Sequence, residues 1–231
     1  MKNWLSILLL AAICWSCNLN GQSGQSVSPK EFQALLEQGK AYQLLDVRTA
    51  EEFKGGYLKG ALQANWLDSK EFTERTKHLD PAKPIYIYCA SGIRSADAAK
   101  ALRKKGYQVT EMAGGMNSWK KQGLPVEQQE ATKQMSSVEY ENLIRSAEVV
   151  LVDAGASWCP PCRKMEPVLK QLQQDLPTQF KLAPIDAGVH TELMKQLKVD
   201  ALPHFFVYKK GQLVWQQQGV VTLEELKARI L

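Results

Sequence analysis

Two cysteines separated by two residues, Cys159 and Cys162, are the residues of this chain best suited to chemistry. They follow the apolar run Val149–Val152 and lead into a helical pattern over residues 165–176. At such a junction the first thiol lies at a helix N-terminus, where the macrodipole and free backbone N–H groups favour the thiolate. The second thiol lies within one turn and can attack a mixed disulfide formed by the first. The spacing therefore predicts a dithiol–disulfide exchanger.

A structural bridge and a zinc site are the alternatives for this cysteine pair. Zinc needs four ligands, and the sequence offers neither a second C-x-x-C motif nor a nearby His/Cys pair. A bridge across so few residues closes too small a loop to restrict the unfolded chain much. We therefore expect redox chemistry that needs neither a metal nor another cofactor.

The first 26 residues predict export. Residues 1–17 contain Lys2 and an apolar core over 5–14, which is too short for an ordinary transmembrane helix and is typical of a signal peptide. Cys17 directly after this segment, followed by a polar tether over 18–26, resembles a bacterial lipoprotein signal. The resemblance implies lipidation of Cys17 and anchoring to a membrane outside the cytoplasm, facing the periplasm if the cell has one.

Two residues depart from the usual lipoprotein signal. Cys14 stands where Leu is usual, and Trp15 is bulky for its position. Ordinary signal cleavage and a retained anchor are therefore the alternatives to lipidation.

The length and net charge of the chain limit which classes of protein it can belong to. A chain of 231 residues is long enough for two domains of ordinary size. The net charge of +5 is dispersed and no block of Lys and Arg stands out, so nothing favours nucleic-acid binding. If Cys17 is lipidated and the C-x-x-C pair is oxidised, Cys89 remains single. An isolated thiol in an exported protein suggests a chemical role.

Strands and helices alternate in both halves of the chain, which predicts an α/β fold with helices flanking the sheets. The polar stretch at residues 127–134 is the natural linker. We therefore predict one domain over 27–126 and a second over 135–231.

The second predicted domain contains four short motifs: Val150–Asp153, Trp158–Cys162, Ala201–Pro203 and the Lys209–Gly211 turn. In this combination they resemble the motifs of thioredoxins. The resemblance implies a mixed sheet flanked by helices, with Cys159 as the exposed nucleophile and Cys162 as the buried resolving thiol. It also implies that Pro203 is a cis-proline beside the disulfide, and that Trp158 and Leu202 contribute to the substrate surface.

Asp153 lies where thioredoxins carry a buried acid beneath the active site. A carboxyl buried there would have a raised pKa and could accept the Cys162 proton, whereas a solvent-facing strand residue is the alternative. Ala154–Gly155 replaces the usual bulky aromatic residues, and Pro160–Pro161 lacks the usual Gly. The packing of the site and its redox potential should therefore differ from those of cytosolic thioredoxins.

Cys89 sits directly between a strong predicted strand, Ile85–Tyr88, and a helix. A loop at such a junction can direct its N–H groups at one anionic sulfur, first a thiolate and then a persulfide. Arg94 would add a positive charge near an incoming anion. The residues predicted to bind the sulfur donor are Ala90, Ser91, Gly92, Ile93 and Ser95.

This loop resembles the active loop of the rhodanese family, sulfurtransferases that carry sulfur as a cysteine persulfide. Further marks are Asp46–Arg48, Gly56–Ala61 and Ala113–Trp119. The resemblance implies a parallel sheet flanked by helices, with Asp46 and Arg48 in an internal polar network. Ala90 replaces a frequent Arg and Tyr57 a frequent His, so thiosulfate is expected to be a poor donor. Some rhodanese-like domains only bind partners, which is the alternative.

These expectations combine into one hypothesis: an exported, lipid-anchored thiol–disulfide oxidoreductase coupled to a sulfurtransferase domain. Its partners would be protein disulfides or persulfides, a small sulfane-sulfur donor and an external electron-donor protein. Two alternatives remain. The first domain could be a docking module for a thiol reductase, or the C-x-x-C pair could act as an oxidase or isomerase, which a measured reduction potential would distinguish.

Overall fold

A computed structural model of the chain describes residues 25–128 and 133–231. The predicted signal peptide, the lipidation at Cys17 and the tether up to residue 24 lie outside these residues. Within the described part, no helix combines the length and the apolar character needed to cross a membrane.

The first domain is a five-stranded, wholly parallel sheet with the order β1-β5-β4-β2-β3. Its elements are β1 Gln25–Val27, α1 Pro29–Glu37, β2 Gln43–Asp46, α2 Ala50–Lys54, β3 Leu62–Gln63, α3 Ser69–Thr76, β4 Ile85–Tyr88, α4 Ile93–Lys104, β5 Val109–Met112 and α5 Gly115–Lys121. Buried apolar residues pack on both faces of this sheet, as its flanking helices require.

The second domain is a four-stranded mixed sheet with the order β7-β6-β8-β9, in which only β6 and β7 run parallel. Its elements are α6 Ser137–Ile144, β6 Val149–Gly155, α7 Pro160–Asp175, β7 Lys181–Asp186, α8 Thr191–Gln196, β8 His204–Lys209, β9 Gln212–Gln218 and α9 Leu223–Ile230. The predicted fold class, two α/β domains with one parallel and one mixed sheet, is confirmed.

Local sequence signals explain where the helices of the first domain begin. Ser28 and Thr49 form complete capping boxes at α1 and α2, with Glu31 and Glu52 as the reciprocal partners. Gly115 has a positive φ of 56°, and a Cβ at this position would collide with the backbone just after β4. Glycine therefore allows α5 to begin directly against the loop that carries Cys89.

Two predicted boundaries shift in the structure. Gln25 and Ser26, predicted as the end of the tether, belong to β1 and pair with Thr110 and Glu111 of β5. At the predicted linker, Glu127 forms an isolated bridge with Tyr57 of the first domain. The Gln134 side chain donates to the Val189 carbonyl of the second domain at 2.6 Å. Both ends of the linker are therefore held by the domains that they join.

The two domains contact each other at Trp158, the residue before the first redox cysteine. The backbone N–H of Gln63 in β3 donates to the Trp158 carbonyl at 2.8 Å. The Arg75 guanidinium of α3 lies over the Trp158 ring, 5.3 Å from its centroid. Phe53 of α2 completes the contact, with its ring centroid 6.0 Å from that of Trp158. The first domain therefore lies directly against the C-x-x-C segment.

Candidate redox and sulfur-transfer sites

Cys159 and Cys162 form a disulfide at the N-terminus of α7, with their Cα atoms 5.3 Å apart. Cys159 is the N-cap residue of the helix, and the Cys162 backbone N–H donates to its sulfur at 3.3 Å. A sulfur in this position receives both a hydrogen bond and the positive end of the helix dipole. The expected placement of the pair at a helix N-terminus is confirmed.

The exposure of the two cysteines is the reverse of the expectation drawn from thioredoxins. Cys159, expected to be the exposed nucleophile, has 0% of its surface exposed, whereas Cys162 is partly exposed. The neighbouring Trp158 explains this difference, because it packs against the hydrophobic core of the first domain instead of lying free at the surface. In this arrangement a partner protein has no direct approach to the Cys159 sulfur.

Asp153 lies near the end of β6, largely buried, and its carboxyl has a raised pKa. Burial raises this pKa from 3.8 to about 6, and repulsion by Glu166 adds to the effect. Gly155 lies between the carboxyl and the redox pair. A Cβ built on it would be 3.4 Å from Asp153 Oδ1 and 3.6 Å from Cys162 Sγ. The acid and the second cysteine therefore border the same small space, which a larger residue would fill.

The Leu202–Pro203 peptide bond is cis, as the resemblance to thioredoxins implies. Pro203 is buried, and Leu202 is partly buried against the apolar cluster that covers one face of the sheet. The next residue, His204, stacks on Phe206 with ring centroids 4.5 Å apart. His204 is therefore a packed side chain of β8.

A cavity of about 130 Å³ lies between the domains beside Trp158. Its walls are mostly apolar, with Lys54 as the one charged residue among them. The lining residues are Ala50, Phe53, Lys54, Gln63, Trp158, Ala187, Gly188 and Thr191. Both domains therefore contribute to a recess next to the redox segment.

Cys89 lies at the start of the loop between β4 and α4, and it is the only unpaired cysteine among the described residues. Its side chain is wholly buried, and the Gly92 N–H donates to its sulfur at 3.1 Å. The Ser95 hydroxyl lies 3.4 Å from the same sulfur. We expected several loop N–H groups to surround this atom, but one N–H and one hydroxyl contact it.

The start of α5 holds this loop in place. The N–H groups of Met116 and Asn117 donate to the carbonyls of Cys89 and Ala90, at 2.8 and 2.9 Å. Of the other predicted donor-binding residues, Ser91 is exposed and Ile93 is 72% exposed. The loop therefore presents an apolar side chain to solvent beside a buried thiol.

In the structure Arg94, which we predicted to add a positive charge near an incoming anion, is paired with a carboxylate. Arg94 makes two hydrogen bonds to Glu52 of α2, at 2.6 and 2.7 Å. These bonds lower the pKa of the Glu52 carboxyl to about 2, so it is ionised at neutral pH. The Glu52 carboxylate therefore already accepts two hydrogen bonds from the Arg94 guanidinium, which an anionic donor such as thiosulfate would otherwise bind. Together with Ala90 in place of Arg, this arrangement disfavours anionic donors.

The sequence did not reveal two residues that the structure brings to the Cys89 loop. Glu52 belongs to the capping box of α2, and its pairing with Arg94 spans 42 positions. Glu111 of β5 accepts a hydrogen bond from Ser95 at 2.8 Å. A carboxylate within a short strand gives no local signal of this contact.

The expected polar network at Asp46 and Arg48 is confirmed. Their side chains form a buried ion pair, with Arg48 Nη2 2.6 Å from Asp46 Oδ2. The same nitrogen donates to the Gly56 carbonyl at 2.8 Å. This network ties the end of β2 to the turn after α2 and thus supports the helix that carries Glu52.

Comparison with known proteins agrees with this architecture. Residues 28–122 match the rhodanese-like domain family, and residues 131–231 match the thioredoxin family. A thioredoxin-like protein of Synechocystis is 35% identical over 86 residues, which are 37% of this chain and 82% of that protein. The chain therefore belongs to the thioredoxin family through its second domain, which a rhodanese-like domain precedes.

Two further proteins are each similar to one domain of this chain. Thioredoxin Y1 of Arabidopsis thaliana, a chloroplast protein, is 33% identical over 101 residues, or 44% of this chain. The match spans 59% of the length of that relative. A rhodanese-related protein from Thermoplasma volcanium has 30% identity and a TM-score of 0.41, covering 46% of this chain and 99% of its own.

Proposed function

We propose that this protein reduces disulfides through Cys159 and Cys162 and carries sulfane sulfur on Cys89. The observation that carries the proposal is the Cys159–Cys162 disulfide at the N-terminus of α7, near the partly buried Asp153 carboxyl. A redox-active pair needs a stabilised thiolate and a nearby proton acceptor, and this arrangement supplies groups suited to both roles.

The reduction proceeds in two exchanges. In the reduced enzyme, the contact between Trp158 and the first domain first opens and exposes Cys159. The Cys159 thiolate then attacks one sulfur of a target disulfide, and the other target sulfur leaves as a thiolate. Cys162 then attacks the Cys159 sulfur of the mixed disulfide, which releases the second target thiolate and closes the Cys159–Cys162 bridge. The target gains two electrons, which an external donor protein replaces.

Asp153 accepts the Cys162 proton in the second exchange. A carboxyl whose pKa is about 6 is mostly ionised near neutral pH and is still basic enough to take a proton. The space beside Gly155 is suited to a water molecule that connects the two groups. Pro203 contributes the backbone on which the target peptide lies, with Leu202 and Trp158 beside it.

The rhodanese-like domain supplies the second activity. Cys89 attacks the outer sulfur of a persulfide donor, R–S–SH, so that the donor S–S bond breaks and R–SH leaves. The product is a Cys89 persulfide, which the Gly92 N–H and the Ser95 hydroxyl are placed to stabilise. The pairing of Arg94 with Glu52 favours a neutral or protein-borne donor over thiosulfate.

Two assays test the two halves separately. Reduction of a protein disulfide with dithiothreitol as electron source should be lost in Cys159→Ser and retained in Cys89→Ser. Mass spectrometry after incubation with a small alkyl persulfide should find one added sulfur on Cys89. A Cys159→Ser variant that still reduces the target, or a wild type that gains no sulfur at Cys89, would overturn the corresponding half.

The burial of Cys89 and the contact at Trp158 also favour a second candidate, in which the first domain only docks partners or controls access to Cys159. Under this candidate, Cys89→Ser would leave partner binding and disulfide reduction unchanged, and no persulfide would be found at residue 89. Trapping of that persulfide therefore distinguishes the two candidates.

We further propose that the protein is exported and anchored through a lipid on Cys17. The support is the apolar segment and polar tether at the N-terminus. Labelling of the expressed chain with a radioactive fatty acid should mark the wild type and not Cys17→Ser. Equal labelling of the two, or none of the wild type, would contradict the anchor.

A further inference from the structure

The Ser95 hydroxyl lies at the centre of a small hydrogen-bond network around Cys89. Its oxygen is 3.4 Å from Cys89 Sγ, 2.8 Å from Glu111 Oε1 and 3.1 Å from the Gly92 carbonyl. A serine hydroxyl has one hydrogen to donate and two lone pairs to accept with. It can therefore donate to only one of these neighbours at a time, and the protonation of the network decides which one.

Two hydrogen-bond arrangements of this network differ by the position of one proton. When Glu111 is ionised, Ser95 donates to the carboxylate and can accept from the Cys89 thiol. When the proton has moved to Glu111, the carboxylic acid donates to Ser95, and Ser95 donates to the Cys89 thiolate. No heavy atom has to move far between the two arrangements, because all three groups are already in contact.

The environment of Glu111 suits a group that exchanges a proton. Burial raises the pKa of its carboxyl, and the hydrogen bond from Ser95 and the charge of Arg103 oppose this effect. Asp97, which precedes Arg103 on α4, raises the pKa further. On the other side of the loop, Arg94 and Glu52 neutralise each other.

We propose that Glu111 takes and returns the Cys89 proton through Ser95 during sulfur transfer. Glu111 is thus a positioning residue that acts through Ser95, and this inference rests on the sulfurtransferase activity proposed above. During loading, Cys89 forms a bond to the outer sulfur of R–S–SH, the S–S bond of the donor breaks and R–S⁻ leaves to take a proton from solvent. The Cys89 proton meanwhile passes to Ser95, and the Ser95 proton passes to Glu111. During delivery, an acceptor takes the outer sulfur, the S–S bond breaks towards Cys89, and the protons return.

Glu111→Gln separates this role from a structural one, because sulfur transfer from Cys89 should become slower while alkylation of Cys89 should become faster. Glutamine keeps a hydrogen-bond acceptor for Ser95 but cannot take a proton. Transfer of sulfur from the loaded Cys89 to cyanide, measured as thiocyanate, should fall about 10²-fold. Alkylation of unloaded Cys89 by neutral iodoacetamide at pH 8 should instead rise roughly threefold, since a negative charge that opposes the thiolate has been removed.

Two further variants complete the experiment. In the wild type and in every variant, the Cys159–Cys162 pair is kept oxidised. Lys100→Gln removes a charge from an exposed position on the same helix as Ser95 and should change both rates little. Ser95→Ala breaks the relay and should slow transfer to a similar degree, and adding Glu111→Gln to it should cause no further loss.

The outcomes distinguish this inference from the proposed function. If wild-type Cys89 takes up no persulfide, the sulfurtransferase proposal itself fails. If the wild type loads and Glu111→Gln delivers sulfur at the wild-type rate, the relay alone is wrong. Parallel losses of alkylation and transfer would show a structural role for Glu111 and would equally overturn the relay.

Discussion

Phe53 of the rhodanese-like domain packs against Trp158 of the thioredoxin domain, with ring centroids 6.0 Å apart. Phe53 directly follows Glu52, the partner of Arg94 in the Cys89 loop, and Trp158 directly precedes Cys159. The short helix α2 therefore contacts the sulfur-transfer loop through one residue and the redox segment through the next. The two reactive cysteines are both wholly buried in this arrangement.

The domain contact should control the reactivity of Cys159. Arg75→Gln removes the cation over the Trp158 ring, an interaction worth roughly 0.5–2 kcal/mol. We expect the Cys159–Cys162 disulfide to be reduced several-fold faster by dithiothreitol, because Cys159 becomes accessible more often. Lys70→Gln, an exposed change on the same helix, should leave the rate unchanged. A rate in Arg75→Gln equal to that of the wild type would show that the contact does not limit access.

The ion pair between Arg94 and Glu52 should determine which sulfur donors are accepted. Glu52→Gln keeps the capping interaction of α2 but releases the guanidinium. We expect loading of Cys89 from thiosulfate to increase about tenfold, since a charge-assisted hydrogen bond becomes available to the anion. Loading from a neutral persulfide should change little. The exposed Glu51→Gln is the matched control, and an equal gain in it would point to general charge instead of Arg94.

Asp153 should make the stability of the thioredoxin domain depend on pH. Its folded pKa of about 6 exceeds the ordinary value of 3.8, so the folded state binds this proton more tightly than the unfolded state. The resulting stabilisation is complete below pH 3.8 and is lost as the pH rises through about 6. At neutral pH, ionised Asp153 therefore lowers the free energy of unfolding by about 3 kcal/mol.

Asp153→Asn should remove this cost while slowing catalysis. Denaturant unfolding should show the variant to be more stable than the wild type at pH 8 by up to about 3 kcal/mol, with the gain shrinking towards pH 4. Disulfide reduction should slow at every pH where the wild type is active. The exposed Asp200→Asn should do neither. A stability difference independent of pH would contradict the raised pKa.

Gly155 should keep the path between Asp153 and Cys162 open. A methyl group there makes only ordinary contacts with both side chains, so Gly155→Ala should fold normally. It should slow the release of a trapped mixed disulfide by about tenfold, within the range of general acid–base effects. Rapid-quench measurement of mixed-disulfide decay would test this, and unchanged decay would show that the space is not used.

The sequence was sufficient for most of the fold because its signals are local. Capping boxes at Ser28 and Thr49 and the apolar run of β6 specify helix starts and a buried strand within a few residues. The strands that escaped prediction, β1 and β3, contain three and two residues and lack a hydrophobic pattern of their own. They exist because neighbouring parallel strands pair with them.

The reactive residues were also visible locally, whereas their surroundings were not. The spacing of Cys159 and Cys162 and the position of Cys89 follow from the order of residues along the chain. The burial of Cys159 depends on a second domain docking at Trp158, and the neutralisation of Arg94 depends on a glutamate 42 positions away. Such tertiary contacts leave no periodicity in the sequence from which they could be inferred.

Sulfide release after a single addition of a small alkyl persulfide tests most directly whether the two sites act on one sulfur. In the reduced wild type, Cys159 would take the outer sulfur from Cys89, and Cys162 would displace it as sulfide while the disulfide closes. We expect release at least about tenfold slower in both Cys159→Ser and Cys89→Ser, since each lacks one step of the transfer. Equal rates in the wild type and either variant would contradict the coupling of the two sites.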